Sequence, residues 1–457
     1  MFMPEKTTDA LRTAIDQALQ ANRPRLAKYL SIETVAAKHL GIEETVSVIE
    51  QSFQELGAEV TVWRDIPGSN PFVFATLPAG PNGNADKTLL FYNHYDVQPA
   101  EPLDEWESDP FTLTEKNGQY VARGVSDDKG ELMVRLSAVK ALQNTTGLPC
   151  NLKFILEGEE EVGSPHIAPM TKKHGADLAA DAVVWETGGK DADENFQVTC
   201  GVKGTASFNV TAKSAESDLH SSLAAFVDNA VWRLVQGLAT LRGPKGEVLV
   251  DGFYDGVKPL TPTEQAAIDQ LSFNEAATRQ NFGLKLPFIS DKPAEALINR
   301  STITINGISG GYEGDGLKTV LPKQARAQLD CRLVPGQDPE HISELVQAQL
   351  DKNGFSDLHV SYNQGEPAFR SDLTDTFVQT AVATAHEVYG DAVKLVPNAG
   401  GSGPEAPFAE TVGAPIVSVG STWAGSGAHA PNENVRVKDF TQAARYTAQL
   451  LQNFGQA

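Results

Sequence analysis

The stretch CNLKFILEGEEE, Cys150–Glu161, runs from an apolar segment straight into three consecutive glutamates, Glu159, Glu160 and Glu161. Its core, LKFIL, reads as a buried strand. An acidic run by itself is best read as a solvated turn, so its meaning depends on what the rest of the chain brings to the same place.

Working outward, TLLFYNHYD (Thr88–Asp96) reads as a second buried strand and DAVVWET (Asp181–Thr187) as a third, with a helix over ELMVRLSAVKALQN (Glu131–Asn144) between the first pair. Upstream, Leu11, Ile15 and Leu19 mark one helix face. Val46, Ile49, Phe53 and Leu56 mark another, stopped by Gly57 and followed by the strand AEVTVW. Strands separated by helices predict a largely parallel sheet covered on both faces. Past residue 205 the pattern changes. SFNVTAK, STITING, ARAQLDCRLV and DLHVSYN predict an antiparallel sheet, with helices near Asp228–Leu241 and His341–Leu350. The first pattern then resumes with a helix at Asp375–Tyr389, the strand APIVSVGS and a helix at Asp439–Asn453. The expected fold class is α/β: a largely parallel-sheet domain in two parts, 1–205 and 379–457, with an inserted α+β domain at 206–378.

At 457 residues the chain exceeds what one core serves, which agrees with two domains. A formal net charge of −22 supplies no basic face for nucleic acid. No apolar run approaches the ~18 residues of a membrane span. The N-terminal MFMPEKTTDA shows no secretory segment. Cys150, Cys200 and Cys331 are odd in number and widely spaced, which suits a reducing cytoplasm and excludes a thiolate metal site. Any metal must be held by His, Asp and Glu.

Ligands of parallel sheets gather at the carboxyl ends of the strands. His94 and Asp96 end one predicted strand, Glu160 and Glu161 the next, and Glu186 a third. His429 lies in the glycine-rich loop after a fourth, and Asp127 and Asp128, in RGVSDDKG, precede a helix. Carboxylates so close cannot all ionise unless cations sit among them. Two divalent ions nearly balance Asp127, Glu161 and Glu186, and imidazole with carboxylate suits zinc, with manganese or cobalt as alternatives. His94 and Asp96 share a strand face, so the Asp96 carboxylate is placed to accept the free imidazole N–H. The sequence GISGG (Gly307–Gly311) fits a serine nucleophile elbow, but the glycine-rich YEGDGLK that follows is no helix start, and that reading fails.

NHYDVQPA, RGVSDDKG, EGEEEVGS, DLHSS, LDCRLVP and GAHAPNE, in this order over nearly the whole chain, resemble the M20 metallopeptidases, the cytosolic carnosine-dipeptidase-like branch most closely. The resemblance implies a di-zinc catalytic domain, here with two divalent ions per subunit, and an inserted lid domain that forms a homodimer. It implies that His94 holds one metal, that Asp127 bridges both through a cis Asp127–Asp128 bond, and that Glu161, Glu186 and His429 complete the set. Glu160 becomes the general base, Asp96, beside His94, counts with it among the catalytic residues, and Glu159 becomes a solvated spare. His220, in DLHSS, would reach the partner subunit's site. Arg332, with Thr319 and Ser402, would bind the substrate's carboxylate. The remaining histidines, His39, His166, His174, His341, His359 and His386, match no motif. The chain departs at Glu186, where the dipeptidase branch carries Asp and amino-acid deacylases carry Glu. The expected activity is hydrolysis of dipeptides or short peptides with a free C-terminal carboxylate. N-acyl-amino-acid deacylation is the alternative, followed by a non-catalytic metal-binding relative.

Overall fold

A computed structural model describes residues 8–456, apart from the side chain of residue 281. The segment read as lacking a secretory signal lies mostly outside those residues. Among the described residues no helix is long and apolar enough to cross a membrane. The chain divides into two compact units.

The first unit runs to Gly201 and resumes at Ser371–Pro397 and from Pro407 onward. Its centre is a ten-stranded mixed sheet in which Cys150–Glu157, Asn84–His94, Ala182–Trp185 and Ile416–Ser418 lie side by side in parallel. Glu59–Trp63 and Phe72–Leu77 extend one side antiparallel. The apolar runs read above are the central strands, and Leu89 to Tyr92 and Phe154 to Leu156 are buried on both faces. Register decides function here. His94 stands opposite Glu157, and Phe91 opposite Val184, so His94, the Glu159–Glu161 turn and Glu186 leave the sheet at one edge.

Helix Lys129–Gln143 packs against helices Asp9–Leu30 and Val437–Gln456 and is buried almost throughout. Lys129, Glu131 and Arg135 are therefore interior, which hydrophobic periodicity alone does not reveal. Lys129 donates to the carbonyls of Tyr29 and Ile32 and to the Thr34 hydroxyl, and burial pulls its pKa down to about 7. Gly130 is required at the helix start: a Cβ there would lie 2.0 Å from the Val125 carbonyl oxygen.

The second unit comprises Val202–Arg370 and Asn398–Ala406. Four antiparallel strands run in the order Thr302–Gly310, Gln324–Leu333, Gly204–Lys213, Leu358–Glu366. Ala206, Phe208, Val210 and Ala212 alternate inward to form its core with residues of helices Ala230–Leu238 and Pro339–Lys352. The GISGG serine, Ser309, lies inside the edge strand Thr302–Gly310 and opens no helix. Asn398–Ala406 clusters with this unit although the sequence reading leaves it with the final part of the first domain; its strand-exit loop reaches Lys203, whose amide donates to the Gly401 carbonyl at 2.8 Å.

Candidate metal centre

His94 is the last residue of its strand and fully buried. Its Nε2 lies 2.9 Å from Asp127 Oδ1 and 3.9 Å from Glu186 Oε2. The other Asp127 oxygen, Oδ2, lies 3.1 Å from His429 Nε2, which is also 3.2 Å from Glu161 Oε2. One carboxylate thus faces two imidazoles, one oxygen to each, and each imidazole has a further glutamate beside it. Donor atoms of His94, Asp127 and Glu161 all fall within 4.8 Å of one another. The Asp127–Asp128 peptide is cis, as the resemblance implies.

The electrostatics are those of a site built for cations. Burial pushes Glu160 up to about 8 and raises Glu186 well above the usual carboxylate range, with neighbouring acids adding to both. Burial pulls the His94 imidazole down, but hydrogen bonds to Asp127 and Asp96 outweigh it and raise the group. Hydrogen bonds to Asp127 and Glu161 lift His429 to about 10. Glu186 Oε2 is buried with no hydrogen-bond partner among the described residues, an orphan acceptor that a metal ion would satisfy. The oxygen and imidazole donors present fit a divalent ion of the zinc type.

Asp96 works differently from its sequence expectation. The His94 Nδ1 partner at 3.0 Å is the Asp96 main-chain carbonyl, and the carboxylate is farther off at 3.5 Å. The Asp96 carboxylate instead accepts from the amides of Glu160 and Glu161 at 3.2 and 3.1 Å, holding the acidic turn Glu160–Val162. A strand-face argument places the side chain correctly but says nothing of a turn that folds over it.

Glu159 is a correction: it is not solvated. It is 8% exposed and takes a hydrogen bond from His166 Nδ1 at 2.7 Å, so both residues are structural partners. The left-handed Gly163 that ends the turn lets the chain fold back and bring His166 to it. The Glu160 carboxylate, by contrast, makes no hydrogen bond to any described residue.

Several supporting contacts escaped the sequence reading. Glu433, four places beyond His429, is fully buried. It accepts from Arg123, the Gly124 amide, the Ser126 amide and hydroxyl, and the Asp127 amide at 2.7 to 3.1 Å. It ties the Asp127 loop to the loop of His429, which is itself held at φ 64°. Arg135, on the buried helix, donates to the carbonyls of Tyr92, Trp185 and Glu186 and to Asn93 Oδ1, pinning two strand ends together. Asp128 accepts from Asn93 and the His94 amide. Gln98 donates to both oxygens of Glu161. Gln98, Asp128 and Glu433 lie within NHYDVQPA, RGVSDDKG and GAHAPNE, whereas Arg135 lies in none of the six motifs.

The other four predicted residues lie in the second unit. His220, exposed at the end of the strand Leu219–His220, accepts from the Ser222 amide. Its strand pairs with Val320–Leu321, and Thr319 lies alongside, its carbonyl accepting from the Ser221 amide at 3.1 Å. Arg332 donates to the Ser402 hydroxyl at 3.1 Å and lies 3.5 Å from Asp330.

Comparison with known proteins follows the same lines. The chain is 32% identical to Cys-Gly metallodipeptidase dug1 of Schizosaccharomyces pombe over 75% of each chain. It is 31% identical to Beta-Ala-His dipeptidase of Mus musculus over 70% of this chain and 67% of that one. In structure it matches an M20 family metallo-carboxypeptidase from Sulfolobus solfataricus with a TM-score of 0.87 at 36% identity, covering 94% of this chain and 98% of the other. Residues 90–453 match Peptidase family M20/M25/M40, and the chain belongs to that family.

Proposed function

We propose that the protein is a dinuclear metal-dependent amide hydrolase acting on dipeptides or short peptides that carry a free C-terminal carboxylate. The observation that carries this reading is the Asp127 carboxylate set between two imidazoles, near a glutamate, Glu160, whose carboxylate makes no hydrogen bond to a described residue. His94 and Glu186 would hold one ion, His429 and Glu161 the other, and Asp127 both. The donor set favours zinc, with manganese or cobalt as substitutes. A metal pair held by these residues would supply polarisation of the scissile carbonyl and a water acidic enough to attack near neutrality. Glu160 takes a proton on its carboxylate from the attacking water and passes it to the departing amine nitrogen. Asp96 supports this by fixing the Glu160 amide. Arg332, with Ser402 and Thr319, receives the substrate carboxylate, for which a planar guanidinium is well shaped.

A panel of dipeptides, β-alanyl dipeptides and N-acetyl or N-succinyl amino acids, assayed with zinc, manganese and cobalt, tests the reading. Dipeptide cleavage abolished by chelation and restored by metal is expected. Turnover of acylated amino acids alone would establish the second reading, deacylation, which the longer Glu186 side chain favours. No turnover with metal restored would leave a binding protein.

The three cysteines are buried and form no disulfide with one another, which supports a reducing, cytoplasmic location. The second unit exposes Ile305 and Ile308 on its edge strand and Trp232 and Val235 on the adjoining helix. An apolar edge of this kind supports a homodimer through the lid, with His220 serving the partner's site to stabilise the oxyanion. Mixing inactive His220→Ala and Glu160→Gln subunits should then regain activity through hybrid dimers. Mixtures that stay inactive although hybrids form would contradict action in trans.

A further inference from the structure

Helix Lys129–Gln143 starts directly after Asp127 and Asp128, and Glu131 and Arg135 lie one turn apart on it, on one face. Both are buried. Burial pushes the Glu131 carboxyl up to about 8, against the pull of its hydrogen bonds from Ser421, and it lowers the Arg135 guanidinium. Burying charged groups is a poor route to stability, since apolar side chains of similar volume often serve as well. What sets these two apart is what they hold, and each is joined to a different part of the metal centre.

Arg135 serves the His94 side. Its Nη1 donates to the Tyr92 carbonyl and to Asn93 Oδ1, both at 2.6 Å, and its Nη2 to the carbonyls of Trp185 and Glu186, both at 2.5 Å. Asn93 passes the restraint on. Its Nδ2 donates to Asp128 Oδ2 at 2.6 Å, the same oxygen that accepts from the His94 amide at 3.1 Å. One planar guanidinium thus fixes the main chain beside both His94 and Glu186, whose side chains approach to 3.9 Å.

Glu131 serves the His429 side. Its Oε1 accepts from the Ser421 amide and hydroxyl, both at 2.6 Å. That approach needs the bare glycine before Ser421, because a Cβ on Gly420 would lie 2.7 Å from the same oxygen. Local bonds carry the restraint along the loop. The Trp423 amide donates to Ser426 Oγ at 3.0 Å and the Ser426 amide to the Trp423 carbonyl at 2.9 Å. The Ala430 amide donates to the Gly427 carbonyl at 2.9 Å, closing a turn across His429. Glu433 holds the far end of this loop, and Glu131 holds the near end.

We propose that Glu131 and Arg135 are positioning residues that secure the two ions separately: Arg135 the ion of His94 and Glu186, and Glu131 the ion of His429 and Glu161. The proposal rests on the two-ion reading of the centre.

The test is calorimetric zinc titration of the metal-free protein, with anomalous peaks in crystals at limiting zinc assigning each step to its ligands. Arg135→Lys keeps the charge, but three N–H groups on one nitrogen cannot span four acceptors on two strand ends. In that variant the ion beside His94 should bind about 10- to 100-fold more weakly, while the ion beside His429 keeps its affinity. Glu131→Ala should do the reverse, and Glu131→Gln, which keeps the acceptor oxygen, should bind both ions like the parent. Asn93→Ala and Ser421→Ala each cut one link of the same two chains, and they take the place of a helix variant that does not fold. Both ions weakened in step, with a matching fall in the urea midpoint of the metal-free protein, would make the two residues merely structural and overturn the proposal. Unchanged affinities would overturn it too. An unaltered protein that binds fewer than two zinc ions would instead overturn the two-ion centre, and this proposal with it.

Discussion

Replacing Glu160 by glutamine should lower kcat by about 10²- to 10⁴-fold while leaving the metal content unchanged. The amide keeps the size of the side chain but cannot take a proton. Because the Glu160 carboxylate makes no hydrogen bond to a described residue, the change removes no structural contact. Its amide still donates to Asp96, so the acidic turn stays in place. The loss should appear in kcat, with KM little altered, because the interaction belongs to the transition state. Substantial remaining turnover would remove Glu160 as the base. A fall in bound metal would instead make it a ligand.

Glu433→Gln should have its largest effect on stability and metal affinity. The carboxylate sits with Arg123 in a pair that is almost wholly buried, and every other partner is an N–H or O–H donor. Glutamine turns one oxygen into an NH₂ group facing those donors and leaves Arg123 with an uncompensated buried charge. Breaking such a pair costs about 3–5 kcal/mol. Because the same carboxylate fixes the Asp127 amide and anchors the His429 loop, zinc affinity should fall about 10- to 100-fold, as for other partners that orient metal ligands. Urea unfolding and competitive zinc titration measure the two effects. A variant as stable and as tightly loaded as the parent would reduce Glu433 to a bystander.

The central sheet was legible because its strands are apolar on both faces and the separating helices force them parallel. That geometry carries His94, Glu161 and Glu186 to one edge before any contact is known. The roles of Asp96 and Glu159 were not legible. They depend on a single turn, Glu160–Val162, that folds back over the strand end, and no periodicity reports a turn of that size. Lys129 and Arg135 are interior because helices cover the segment from more than one side, which no local pattern around them reports. The return of Asn398–Ala406 to the second unit follows from backbone pairing with Lys203, a long-range contact without a sequence signature.

The most direct measurement is the anomalous scattering of zinc in crystals of the Glu160→Gln protein grown with the metal. Two peaks are predicted, both touching Asp127, one with His94 and Glu186 and the other with His429 and Glu161. A single peak, or none among these side chains at saturating zinc, would contradict the paired-cation centre on which the proposed chemistry stands.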